Sequence, residues 1–152
     1  MFWVKYFFAS LALMLFAGLS CHSLADGNYV GTETCGYCHT HEYENFISYS
    51  KKANSWENIS VMAPKLTRQE LEGCYGCHTT GYNQGGFISH ELTPELSDVG
   101  CETCHGPGKE HSDTGYPDAI IRLPSMSDCL NCHTDERNEA FNFRPLIYSG
   151  AH

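Results

Sequence analysis

Eight of the nine cysteines fall into four pairs of one pattern: Cys35-Gly36-Tyr37-Cys38-His39, Cys74-Tyr75-Gly76-Cys77-His78, Cys101-Glu102-Thr103-Cys104-His105 and Cys129-Leu130-Asn131-Cys132-His133. Two thiols three positions apart on one turn reach the two vinyl groups along one haem edge and form thioethers. The adjacent histidine then projects under the ring to ligate iron, so C-x-x-C-H is the attachment signature of c-type haem. The expected cofactors are four haem c groups with their iron. Their thioether positions are Cys35, Cys38, Cys74, Cys77, Cys101, Cys104, Cys129 and Cys132, and their proximal ligands are His39, His78, His105 and His133. Two four-cysteine zinc sites would leave four identically placed histidines unexplained. Four redox dithiols in one small domain have no evident purpose. Four disulfides, the first reading for an exported chain, do not account for the paired spacing.

Counting the other side of each iron brings in the remaining imidazoles. His41, His90, His111 and His152 are the distal candidates, and each taken alone also reads as a surface or hydrogen-bonding histidine. Four irons and four spare imidazoles make bis-histidine ligation of every haem arithmetically open. Reach restricts the pairings. His41 lies two residues past His39 and, at about 3.5 Å per residue, cannot travel round the ring to its far face, so it would serve a different haem. His111 follows His105 through Gly106-Pro107-Gly108 and is better placed for a neighbouring haem than for its own. His90 and His152 are less constrained, and His152 could ligate a haem of an adjacent subunit.

The elements that must position these groups belong to a 152-residue chain, long enough for one domain. Nine Lys+Arg against eighteen Asp+Glu give a formal charge of −9, too few cations for a phosphate-binding surface, so nucleic acid is not an expected partner. Residues 1–25 read as a secretory signal: Lys5, an apolar run from Tyr6 to Leu19, and Ser23-Leu24-Ala25 before Asp26. The run is shorter than the roughly 20 residues of a spanning helix. An uncleaved anchor is the other reading of the segment, and Gly18-Leu19-Ser20-Cys21 fits a lipoprotein box less well than Ser23 and Ala25 fit ordinary cleavage. Residues 26–152 are then the mature domain, exported to the periplasm or outside the cell with no membrane span. Much of the longest apolar run leaves with the signal, and the remainder is too polar to fold around side chains alone. Four large, flat, apolar porphyrins would form the interior instead.

The expected fold is mainly α with extensive irregular loops, a small chain wrapped around four c-type haems. Tyr43, Phe46, Ile47, Ser50, Ala53 and Trp56 recur at helical spacing between Thr40 and Ile59, as a stripe packed on haem. Thr67-Arg68-Gln69-Glu70 is a capping box opening a helix into Cys74, and Ser125-Met126-Ser127-Asp128 is another cap before Cys129. Thr93-Pro94 can start a helical turn. Gly81–Phe87 and Gly106–Gly108 read as loops whose backbone lies against porphyrin. No run alternates as a strand, and the unequal motif intervals exclude a tandem array.

Three stretches carry a resemblance: Cys74-Tyr-Gly-Cys-His-Thr-Thr-Gly-Tyr82, Gly100-Cys-Glu-Thr-Cys-His-Gly-Pro-Gly-Lys-Glu-His111 and Gly150-Ala-His152. Together they resemble the exported tetrahaem cytochromes of the cytochrome c-554 family, over nearly all of residues 31–152. The resemblance implies closely packed haem pairs that pass electrons, and His111 as a distal ligand. Relatives often carry a histidine on the helix after the first motif, where this chain reads Ser50-Lys51-Lys52-Ala53-Asn54. One iron is then five-coordinate or relies on His41, His90 or Lys52.

The leading functional expectation is an electron carrier with no catalytic residue, its acidic surface steering redox proteins with basic docking patches. Two alternatives stand beside it: a nitric oxide reductase working at a five-coordinate haem, and a subunit of a haem-wire filament or homo-oligomer. No C-x-x-C-Lys motif of the pentahaem nitrite reductases is present.

Overall fold

Residues 27–134 are those that the computed structural model describes. The expected signal segment, Cys21 and His152 lie outside the described residues. Within them the chain forms seven short α-helices joined by 3-10 turns and loops, with no strand. These are α1 (Thr32–Gly36), α2 (Thr40–Tyr49), α3 (Ser55–Ser60), α4 (Arg68–His78), α5 (Cys101–His105), α6 (Lys109–Thr114) and α7 (Met126–Leu130). The mainly helical, loop-rich fold expected of the sequence is the one observed.

Local chemistry sets where the helices start. Thr67 caps α4 reciprocally: its N–H donates to Glu70 Oε2 at 2.8 Å, and Glu70 N–H donates to Thr67 Oγ1 at 3.4 Å. From that start α4 runs unbroken through the second motif to His78. Ser125 N–H donates to Asp128 Oδ2 at 2.7 Å ahead of α7, which leads into the fourth motif. Pro94 opens a 3-10 turn, Pro94–Leu96, as its fixed φ favours.

The stripe expected between Thr40 and Ile59 is not one helix. At Ser50 the backbone is extended, and a 3-10 turn, Lys51–Asn54, intervenes before α3. Ser50 Oγ accepts the Lys52 N–H at 3.4 Å, a local bond that competes with helix continuation. The apolar spacing survives the break. Phe46 and Ile59 are buried from opposite sides of it.

The interior is more polar than apolar. Phe46, Ile59, Phe87, Leu96 and Val99 are the buried hydrophobic residues, against Ser50, Ser55, Thr79, Thr80, Thr93, Ser97 and Glu102 among polar ones. Burial without partners would be costly, and among the described residues no buried side-chain nitrogen or oxygen lacks one. Thr80 is the central node. Its Oγ1 donates to Asp98 O at 2.7 Å, accepts Gly100 N–H at 2.8 Å and meets Thr103 Oγ1 at 3.0 Å, while its backbone pairs with Leu96 and Phe87. Thr80 therefore ties the end of the second motif to the start of the third.

Two glycines of the expected loops permit close approach within the chain. Gly81, at φ 70, lies under the ring of Tyr29, and Gly108 lies under the carboxylate of Glu102. Their missing side chains let the chain close on itself at these points.

Candidate functional site

Each of the four C-x-x-C-H segments forms one helical turn, on α1, α4, α5 and α7 with the residues just after them. In the first motif His39 N–H donates to Cys35 O at 2.9 Å, and in the fourth His133 N–H donates to Cys129 O at 3.0 Å. One helical turn is the spacing that lets two thiols and the following imidazole serve one porphyrin. None of the eight cysteines forms a disulfide. Among the described residues no three His, Cys, Asp or Glu side chains converge as a metal cage, so the four-cysteine zinc reading has no geometric counterpart.

Three of the histidines are held in the tautomer that iron ligation needs. His78 Nδ1 donates to Ser55 O at 3.2 Å, His105 Nδ1 to Ile121 O at 2.6 Å, and His111 Nδ1 to Tyr116 O at 2.8 Å. A carbonyl only accepts, so the proton sits on Nδ1 and the lone pair on Nε2, the usual arrangement behind a metal-bound imidazole. His39 and His111 also face one another, ring centres 6.2 Å apart and planes 19° from parallel. Two imidazoles on opposite sides of one metal ion, each bound at about 2.0 Å, put their ring centres roughly 6 Å apart. His111 thus sits against the histidine of the first motif.

The other distal candidates are placed differently. His41 is exposed on α2, with its Nδ1 3.4 Å from Asn45 Nδ2. His90 stacks on Trp56, centres 4.9 Å apart at 7°, and its Nδ1 meets Ser97 Oγ at 2.8 Å. Lys52, in the 3-10 turn Lys51–Asn54, is half-buried within electrostatic reach of Cys104 and His133. Burial holds the His133 imidazole below its usual value, and the Lys52 ammonium adds to the effect. The Cys104 thiol is pushed up by burial, partly offset by Lys52, with Cys129 and Asp128 also within electrostatic reach.

The motifs are contiguous in space. Cys35 Sγ donates to Gly31 O at 3.7 Å, and the neighbouring Cys101 thiol together with burial pushes Cys35 well above the thiol range, while Cys101 is drawn down to about 7 by Cys35. Cys104 and Cys129 lie within electrostatic reach of each other, and Cys132 Sγ lies 3.8 Å from Gly76 O. The attachment turns therefore neighbour one another in the order first, third, fourth, second. Around them Tyr37, Tyr49, Val61 and Leu123 turn large apolar surfaces outward. Paired thiols, Nδ1-anchored imidazoles and outward apolar surface suit a covalently held porphyrin.

Reasoning from the sequence missed two supports. Ser55 Oγ donates to His78 O and accepts Val99 N–H, both at 2.8 Å, securing the second motif to the approach of the third. Glu102, inside the third motif, is buried among backbone N–H groups.

Residues 34–106, which contain the first three motifs, match the family described as "Cytochrome c554 and c-prime". The chain is 31% identical over 112 residues to Cytochrome c-554 of Nitrosomonas europaea, a match covering 65% of this chain and 47% of the relative. The chain thus spans about half the length of the curated relative it matches. No solved structure matches. The chain resembles the cytochrome c-554 family in sequence, as its motifs led one to expect.

Proposed function

We propose that this protein is a c-type electron carrier that binds four haem c groups and works in the periplasm or outside the cell. Cys35 and Cys38, Cys74 and Cys77, Cys101 and Cys104, and Cys129 and Cys132 hold the porphyrins, with His39, His78, His105 and His133 beneath them. Bound haem iron supplies reversible one-electron exchange at a potential set by its axial ligands and surroundings. The observation that carries the reading is that four attachment turns lie near one another: the helix of the first motif packs on that of the third, Cys104 and Cys129 are within electrostatic reach, and Cys132 Sγ lies 3.8 Å from Gly76 O. A solitary cofactor site needs no such neighbours; a relay does.

His111 completes the first site opposite His39, with its Nδ1 proton held by Tyr116 O. His90 and His152 remain the imidazoles proposed for other irons. The acidic surface, −9 in formal charge, draws partner proteins by their basic patches. No helix among the described residues is long and apolar enough to cross a membrane.

A second reading, nitric oxide reduction at an iron with no sixth protein ligand, has one observation in its favour. His41 is exposed beside Asn45, its Nδ1 3.4 Å from Asn45 Nδ2. The same preparation separates the two. Protein matured in a haem-attaching host is weighed intact and its ferric spectrum recorded by electron paramagnetic resonance. Four haem additions with low-spin signals throughout support the carrier; a high-spin signal that nitric oxide abolishes supports the reductase. Mass equal to the bare polypeptide, or no Soret band, overturns both.

A further inference from the structure

Glu102 is a carboxylate with 2% of its surface exposed, and among the described residues no Lys or Arg forms an ion pair with it. Among the described residues its oxygens accept from backbone N–H groups. Val30 N–H donates to Oε1 at 2.9 Å and to Oε2 at 3.2 Å, Gly31 N–H donates to Oε2 at 2.8 Å, and Gly108 N–H donates to Oε1 at 2.7 Å. Hydrogen bonds to an ionised acceptor are shorter and stronger than neutral ones, and removing a buried acceptor strands every donor aimed at it.

The donors come from two places that matter. Val30 and Gly31 lead directly into α1, the helix of the first motif; Gly31 is its N-cap, at φ 82. Gly108 is the N-cap of α6, which carries His111. A second tie runs alongside, Lys109 N–H to Asn28 O at 2.9 Å. Gly108 is shaped to this contact, since a Cβ there would stand 3.1 Å from Glu102 Oε1. The first motif and the His111 helix are thus fastened to one side chain belonging to the third motif.

We infer that Glu102 is a positioning residue that fixes His111 opposite His39, so that the axial pairing of the first haem is set from within the third motif. The inference rests on the proposed reading that His39 and His111 share one iron. Glu102 itself touches neither histidine. It acts by holding the start of α1 and the start of α6 at one separation, from which the imidazoles at the far reach of each segment take their 6.2 Å spacing.

The test uses full-length holoprotein carrying Glu102→Gln or Gly108→Ala, beside wild type and His111→Ala. Haem number comes from intact mass, and ligation from electron paramagnetic resonance before and after added imidazole. The glutamine amide presents N–H groups to backbone donors, so Glu102→Gln is expected to keep the wild-type haem number and gain a high-spin ferric signal that imidazole removes. Gly108→Ala, a smaller push on the carboxylate, is expected to shift the low-spin signal of the haem that His111→Ala alters. If Glu102→Gln does not accumulate, Gly108→Ala decides. Wild-type spectra in the variants, with or without a lowered melting temperature, overturn the inference. A wild-type protein without haem on Cys35 and Cys38, or a His111→Ala spectrum unchanged from wild type, instead overturns the reading beneath it.

Discussion

His39 ends the first motif and His111 lies on the helix after the third, yet their rings stand 6.2 Å apart and within 19° of parallel. Nothing local to either residue requires this. The shared placement comes from α1 and α6 being fastened together through Val30, Gly31 and Gly108. His111→Ala should convert one ferric haem from low spin to high spin and leave four haems attached, because the thioether cysteines are untouched. His41→Ala should leave the spectrum as it was, since His41 faces solvent beside Asn45. Magnetic resonance spectra of the two purified variants decide between them.

Ser55 offers a test of the polar frame without touching a proposed ligand. It is buried, and its hydroxyl both donates to His78 O and accepts Val99 N–H. Ser55→Ala leaves a buried N–H with no acceptor, which costs about 1–3 kcal/mol. Denaturant unfolding of the holoprotein should show that loss with the haem number unchanged. The His78 ring should keep its own partner, because Ser55 contributes that through its backbone carbonyl.

What could be read from the sequence was whatever chemistry is local. The four motifs, the Thr67 and Ser125 caps and the Pro94 turn each depend on residues within a few positions of one another, and all of these local elements fold where their spacing places them. The break at Ser50 escaped because apolar spacing continues across it, while a single serine hydroxyl redirects the backbone. The partners of the histidines escaped for another reason. Carbonyls of Ser55 and Ile121 are chosen by tertiary packing, and any residue type can supply one. Glu102 read only as a spacer between two cysteines, because the amides it accepts carry no side-chain signature.

The cap on α4 gives a pH-dependent expectation. The Glu70 carboxyl is held below its ordinary range by the Thr67 backbone N–H first and the Thr67 hydroxyl second. A carboxyl lowered in the folded state stabilises fully above its unfolded value, and the contribution is lost as pH falls through the folded value. Circular dichroism melts should therefore show stability declining through the acidic carboxylate range. Thr67→Ala removes the capping hydroxyl and should cost about 1 kcal/mol at neutral pH. It should also flatten part of the acid slope, because Glu70 then loses one of the two groups that lower it. An equally steep slope in Thr67→Ala would assign the acid sensitivity to other carboxylates, Asp128 beside Ser125 being held low in the same manner.

Electron exchange itself should report the surface charge. With eighteen acids against nine cations, the chain attracts a basic partner over distances set by screening. The Debye length falls from about 30 Å at 0.01 M salt to about 8 Å at 0.15 M. Stopped-flow exchange with a basic redox protein should therefore slow across that range, because the steering that raises encounter rates is lost while the docked geometry is not. The same measurement with an acidic partner should run the other way, accelerating as salt screens repulsion. A rate that ignores salt with both partners would mean that encounter is not limiting, and that the acidic surface has no part in selecting who docks.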